Sequence, residues 1–282
     1  MSEPQYIVEH FSNRVFCSYA KTKFLSNEMF HMHNYYEMNL FLKGDMTFFI
    51  DDIKIQPVRG TLFLIDSTQV HGPKLLSQNE YERAIVHFDP KLALHLSVSQ
   101  TDLLHCFSNF DGRTSKYVIL DEKEIALFSE LTKEIEKMGQ ASTFFGKEVL
   151  VNAYLAQLLV VANRHADEGI QLDNSVEHSE MIRNILTYIN SHIKEKLSLR
   201  KIEKEFLMNK HYLNRLFKKE LGISIYQFII LKKVSLAKQL LAQGYSPKQV
   251  YIMLDYQDYS TFSRAFKKVT DTSPTTYTKS IL

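Results

Sequence analysis

The segment that opens at Asn209 and carries Arg215-Leu-Phe217-Lys218-Lys219 returns 49 residues later, opening at Asp258 and carrying Arg264-Ala-Phe266-Lys267-Lys268. Each copy begins with an Asx residue suited to capping a helix and keeps its apolar positions at helical spacing. The carboxyl-terminal part of the chain is therefore restricted to two copies of one helical unit. The repeat coincides with a break in charge. Residues 181 to 282 hold 18 Lys and Arg against 7 Asp and Glu, while residues 1 to 180 hold 16 against 25, so the overall +2 conceals +11 behind −9. That asymmetry is the electrostatic expectation for a nucleic-acid-binding segment joined to something with another task.

A chain of 282 residues has room for two domains, each with its own core. The two cysteines, Cys17 and Cys106, lie far apart with no CxxC, so neither a disulfide framework nor a thiolate zinc site is expected. The first twenty residues contain acids and no signal-like apolar run, and no stretch approaches the roughly 18 apolar residues of a membrane span. A soluble, cytoplasmic protein without membrane contact is the expectation.

From about Val15 to Phe88 the chain is dense in β-branched and aromatic residues. It is cut by turn signals at Lys43-Gly44-Asp45, Asp51-Asp52, Val58-Arg59-Gly60 and Gly72-Pro73. Short strands so closely spaced read as an antiparallel barrel or sandwich. Residues 122–138 and 144–166 switch to helical spacing and read as two flanking helices. Residues 167–178 are polar and weakly periodic, the character of a linker. The fold class expected is thus α+β multidomain: 1–166 a β-barrel with two helices, 167–178 a linker, and 179–282 all-α.

In the all-α part, Ser198 caps a short helix with Leu199, Ile202 and Phe206, and Asn209 caps a second whose Leu213, Leu216 and Phe217 face inward. A long helix over Tyr226 to Gln243 ends at Gly244, and Ser246-Pro247-Lys248-Gln249 restarts the unit with a cap, a proline at the first helical position and a capping-box glutamine. Helix-turn-helix units are placed at about 198–220 and 246–269. Exposed positions in the first two turns of each second helix are those able to reach base edges in a major groove. They are Lys210, His211, Asn214 and Arg215 in one copy, and Tyr259, Ser260, Ser263 and Arg264 in the other. Arginine can contact guanine, and asparagine adenine, through two bonds, so the first unit is expected to be the more selective. Lys218, Lys219, Lys267 and Lys268, a turn further on, suit phosphate.

These features, closing on Ser273-Pro274-Thr275-Thr276-Tyr277, resemble the DNA-binding domain of the AraC/XylS family of bacterial transcription regulators over about Ser179 to Ile281. The resemblance implies two recognition helices entering successive major-groove segments of double-stranded DNA. There are departures: Glu203 and Tyr251 stand where a small residue is usual, Asp255 where a glycine is usual, and Lys233 and Thr278 where an arginine is usual.

In the front part, His31-Met-His33-Asn-Tyr-Tyr-Glu37, followed by Gly44 and later by Gly60 and His71, resembles the two motifs of the cupin barrel, with Asp66 in place of the usual proline. His31 and His33 are expected on one face of a strand, with Glu37 and His71 converging on them. Three histidines and a carboxylate form a reasonable divalent-metal set. Two other readings stand beside it, polar lining of an effector pocket and structural hydrogen-bonding histidines. Pocket lining is the reading adopted, and no metal or other cofactor is assigned.

The family resemblance implies a ligand-responsive regulator, an activator of a sugar or small-metabolite operon, working with RNA polymerase and without enzymatic activity. It also implies a homodimer through helices 122–138 and 144–166. The alternative is a metal-dependent cupin enzyme with a basic, nucleic-acid-binding helical tail.

Overall fold

The computed structural model describes residues 14–22, 30–77, 79–107, 117–165 and 178–281. The expected linker lies, apart from His178, outside the described residues.

The first part contains strands β1 (Val15–Thr22), β2 (Tyr36–Lys43), β3 (Met46–Ile50), β4 (Ile53–Ile55), β5 (Thr61–Ile65), β6 (His71–Leu75) and β7 (Tyr81–Phe88). After them come helix α1 (Pro90–Leu96), strand β8 (Tyr117–Ile119) and helices α2 (Glu122–Gln140) and α3 (Lys147–Arg164). All pairings are antiparallel and form two sheets, ordered β1-β7-β2-β5-β8 and β4-β3-β6. Central strands β2, β3 and β5 are buried almost end to end because both faces of each sheet are covered. Phe41, Phe48, Ile50, Phe63, Ile65 and Tyr81 meet between the sheets. Met38, Leu40, Leu62, Leu64 and Val86 point the other way, onto Phe128, Leu131, Leu155 and Leu158 of α2 and α3. Alternation of side chains across a strand puts these neighbours in separate cores.

Gly72-Pro73, read as a turn in the sequence, lies inside β6. That strand is an edge of its sheet, where a residue without an N–H costs no ladder bond. His31 forms an isolated bridge with His71 in place of the expected strand over 31–33.

The second part is helical: α4 (Glu180–Ser191), α5 (Leu199–Phe206), α6 (Lys210–Leu221), α7 (Ile225–Ala242), α8 (Pro247–Met253), α9 (Tyr259–Thr270) and α10 (Pro274–Ile281). Every cap read from the sequence is made. Ser198 accepts from the Lys201 N–H, Asn209 from His211 and Asp258 from Thr261, while Ser246 and Gln249 close a capping box. Gly244 adopts φ 92° just past α7. The long helix is the hub, carrying Phe228, Leu231, Val234, Ala237 and Leu241 into a core shared with Leu213, Phe217, Val250, Phe262 and Phe266 of both units.

The departures from the family pattern acquire local explanations. Asp255 takes φ 50°, the left-handed conformation for which glycine is usual, and its carboxylate accepts the Lys196 N–H at 2.8 Å. Glu203 accepts the Lys210 N–H at 3.1 Å, satisfying a donor at the start of α6. Leu207, at the end of α5, also has φ 50° and is 91% exposed. With strain and no burial to offset it, Leu207→Gly is expected to stabilise the domain by about 1 kcal/mol in chemical denaturation.

The outer face of the three-stranded sheet is covered by the helical part. Phe30, Met32, Phe49 and Val70 belong to the same apolar cluster as the α4–α10 core. Polar contacts surround it: Lys232 reaches Asp51 at 3.0 Å, Lys74 donates to the carbonyls of Lys219 and Glu220, and Asn34 donates to the Thr270 carbonyl.

Candidate nucleic-acid interface and effector site

Helix α6 sets His211 and Arg215 outward and Lys210 and Asn214 half-buried, and α9 sets Ser260 and Arg264 outward with Tyr259 and Ser263 half-buried. Lys218, Lys219, Lys267 and Lys268 are exposed in the last turns. Basic side chains there also complement the helix dipole. Leu213, Phe217, Phe262 and Phe266 are buried, as the amphipathic pattern requires. Among the described residues, the bonds from the barrel reach the C-terminal ends of α6 and α9 and leave residues 210–215 and 259–264 untouched.

Two of the expected base-contacting residues are engaged elsewhere. The Oδ1 atom of Asn214 accepts the Ile225 N–H at 3.0 Å, tying α6 to the first turn of α7. A two-bond contact with adenine needs that oxygen, so the cap and the contact exclude one another. The Tyr259 hydroxyl lies 3.1 Å from the Thr275 hydroxyl, and its ring packs on Tyr251 and Phe262. Arg215, stacked near Tyr212 at 5.7 Å, and Arg264 remain outward.

In the barrel, three histidines meet one carboxylate and a fourth packs beside them. Oε2 of Glu37 lies 2.9 Å from Nε2 of His33, 3.1 Å from Nε2 of His71 and 2.9 Å from Nε2 of His87. Oε1 accepts from Asn39 at 2.9 Å. His31 completes the group, its ring centroid 4.3 Å from that of His71. The candidate ligand atoms of His31, His33, Glu37 and His71 all lie within 4.8 Å of one another. Sheet register explains the convergence: Glu37 of β2 pairs with His87 of β7, and His31 bridges His71 at the start of β6.

Glu37 and His71 are buried, at 3% and 1% exposure, while His31 and His33 are half-buried. Burial pushes His31 well below the ordinary imidazole range, the neighbouring histidines adding to the effect. Burial likewise brings His33 down to about 4 against the opposing pull of Glu37. For Glu37 burial acts upward, but His71 and His87 outweigh it and hold the carboxyl well below its usual range. His71 is shifted up because Glu37 outweighs its burial.

The sequence reading anticipated that His31, His33, Glu37 and His71 come together, but it omitted His87. The signal was a histidine facing the barrel interior in a strand otherwise rich in apolar residues; its pairing with Glu37 depends on a register that spacing alone does not supply.

A basic pair of helix-turn-helix units on a shared helix, joined to a barrel with a buried polar site, defines a DNA-binding regulator with an effector domain. Residues 26–159 match the AraC-like ligand binding domain and residues 202–280 match a helix-turn-helix domain. The chain is 26% identical over 252 residues to the probable transcriptional regulator LumQ of Photobacterium leiognathi, covering 89% of this chain and 92% of LumQ. It is 28% identical over 161 residues to the arabinose operon regulatory protein of Escherichia coli, covering 56% of this chain and 53% of that protein. It is 33% identical over 98 residues to the multiple antibiotic resistance protein MarA of Salmonella typhimurium, covering 34% of this chain and 76% of MarA. The chain belongs to the AraC family of transcriptional regulators, with a ligand-binding and a DNA-binding domain. No described helix is long and apolar enough to cross a membrane.

Proposed function

We propose that the chain binds a specific DNA duplex through α6 and α9 and adjusts that binding to an effector held at the barrel cluster. The observation that carries this reading is the outward placement of Arg215 and Arg264 at matching points of two capped helices that share one core. In the proposed complex, His211, Arg215, Ser260 and Arg264 face bases, with Lys210 and Ser263 at the edge, and Lys218, Lys219, Lys267 and Lys268 hold phosphates. Asn214 and Tyr259 are assigned to holding the readers in place.

Arg215→Ala is expected to cost about 1–3 kcal/mol of binding and to relax one base position in selection from random duplexes. Asn214→Ala should leave base preference unchanged and lower the melting stability by about 1 kcal/mol, the worth of a helix cap. An Asn214→Ala protein with altered base preference would return that residue to the reading set.

The barrel is read as a sensor and not as a catalyst, because a relative across most of the chain is a probable transcriptional regulator. A sugar as effector draws support from the name of the arabinose relative alone, and activation of an operon with RNA polymerase in the cytoplasm is assigned from membership of the family. A homodimer through α2 and α3 is supported by apolar residues left on their outer side, Val149 at 70% exposure and Leu127, Leu150 and Val160 near 40%. Val149→Glu is expected to convert dimer to monomer in sedimentation and to weaken binding to a two-site duplex by at least tenfold through lost avidity.

A further inference from the structure

We propose that Lys238 of α7 is the coupling residue of this regulator: one buried ammonium ties the two chain segments that lead to His33 and His71 onto the helix that carries both readers. The proposal rests on the reading of the barrel as the effector domain and names the contact through which that domain addresses the DNA-binding helices.

Helix α7 is seated on the barrel by its own side chains and by backbone carbonyls of the sheet domain. Lys238, 1% exposed, donates to the His33 carbonyl at 2.9 Å and also to the Ser67 carbonyl. Ser235, three residues earlier and so on the same face, donates to the Thr68 carbonyl, and Lys232, three earlier again, reaches Asp51 at 3.0 Å.

Both barrel segments are two-sided. In the first, Phe30 and Met32 enter the helical core, the His33 ring lies 2.9 Å from Glu37, and Asn34 donates to the Thr270 carbonyl at the end of α9. In the second, the Ser67 and Thr68 carbonyls meet α7, while the next carbonyl, that of Gln69, lies 3.0 Å from Nδ1 of His71. Nε2 of the same ring lies 3.1 Å from Glu37. Each segment therefore gives a histidine to the cluster and a carbonyl to α7 within a few peptide units. Those units are planar and of fixed length, so a shift of one ring against the other shifts the two carbonyls as well. Lys238 bonds both and must follow or let go.

Packing alone does not account for an ammonium at this place. Burial pulls Lys238 down to about 7, with Asp66 opposing. Its two acceptors are neutral carbonyls, and both belong to the barrel. An apolar side chain of the same length would fill the space without desolvating a charge. What the ammonium adds is a simultaneous bond to two separate segments of the other domain.

The test is a double-mutant cycle on the full chain and needs no effector. Wild type, Glu37→Gln, Lys238→Met and the doubly substituted protein are compared for affinity toward one duplex selected by the wild type from a random pool. Glu37→Gln removes the charge about which the histidines gather. It is expected to shift the dissociation constant by about fivefold or more in the wild-type background and by less than about twofold in the Lys238→Met background. Ser235→Ala takes the place of Lys238→Met in the same cycle should the latter fold poorly. Amide hydrogen exchange across residues 225–242, measured on the same proteins without DNA, should repeat the pattern, with Glu37→Gln changing it only where Lys238 is present. Equal shifts in both backgrounds overturn Lys238 as the coupling residue. A Glu37→Gln substitution that moves neither DNA affinity nor α7 exchange in the wild-type background overturns the coupling itself. Failure of all four proteins to bind any duplex would count against the DNA-reader reading, and the exchange pattern alone would then decide the coupling.

Discussion

Lys233→Ala should abolish tight DNA binding by both readers at once, although Lys233 lies on neither. Its ammonium, in the middle of α7, donates to the Glu195 carbonyl at 2.7 Å and the Leu254 carbonyl at 2.6 Å, and sits 5.2 Å from the Tyr256 ring centre. Glu195 lies between α4 and α5 of the first unit, and Leu254 ends α8 of the second. One buried cation therefore fixes the angle of both units to their common helix, and burial lowers its pKa. Removing it leaves buried carbonyls short of a donor and opens a cavity, an expected loss of about 2–4 kcal/mol. That is a large fraction of a domain's typical total of about 5–15 kcal/mol. Lys233→Arg, which restores the residue usual in the family, should recover binding. A Lys233→Ala protein with wild-type melting and DNA affinity would refute the account.

Gly60→Ala should be comparably damaging in the other domain. Gly60 has φ 91°, donates to the Phe41 carbonyl at 3.0 Å and accepts from Leu120 at 2.9 Å. An added Cβ would stand 2.6 Å from the Leu120 carbonyl oxygen and 3.0 Å from Cδ1 of Ile125. Backbone strain and overlap both fall where the sheet meets the start of α2. A cost of about 2–4 kcal/mol is expected, read as a lowered denaturation midpoint of the full chain. DNA affinity per folded molecule should change little, because the clash is remote from α6 and α9.

The helical half was largely legible in the sequence because its determinants are local. Caps such as Ser246 with Gln249 and stops such as Gly244 act within one turn, so spacing suffices to place them. The roles of Asn214 and Lys233 were not legible, since each depends on a partner from another element. In the barrel, the convergence of His31, His33, Glu37 and His71 followed from motif spacing, whereas His87 entered through strand register. The Gly72-Pro73 pair misled because a turn and an edge strand tolerate the same residues. Nothing in the order of residues announced that the three-stranded sheet would find its cover in the other domain.

That cover has a practical corollary for anyone dissecting the molecule. A barrel fragment cut off ahead of α4 would lay bare Phe30, Met32, Phe49 and Val70, each no more than 5% exposed in the intact chain, as one adhesive oily patch beside an exposed sheet edge. Such a fragment should clump at modest concentration unless those four positions are made polar, so the amino-terminal half is better handled with its helices attached.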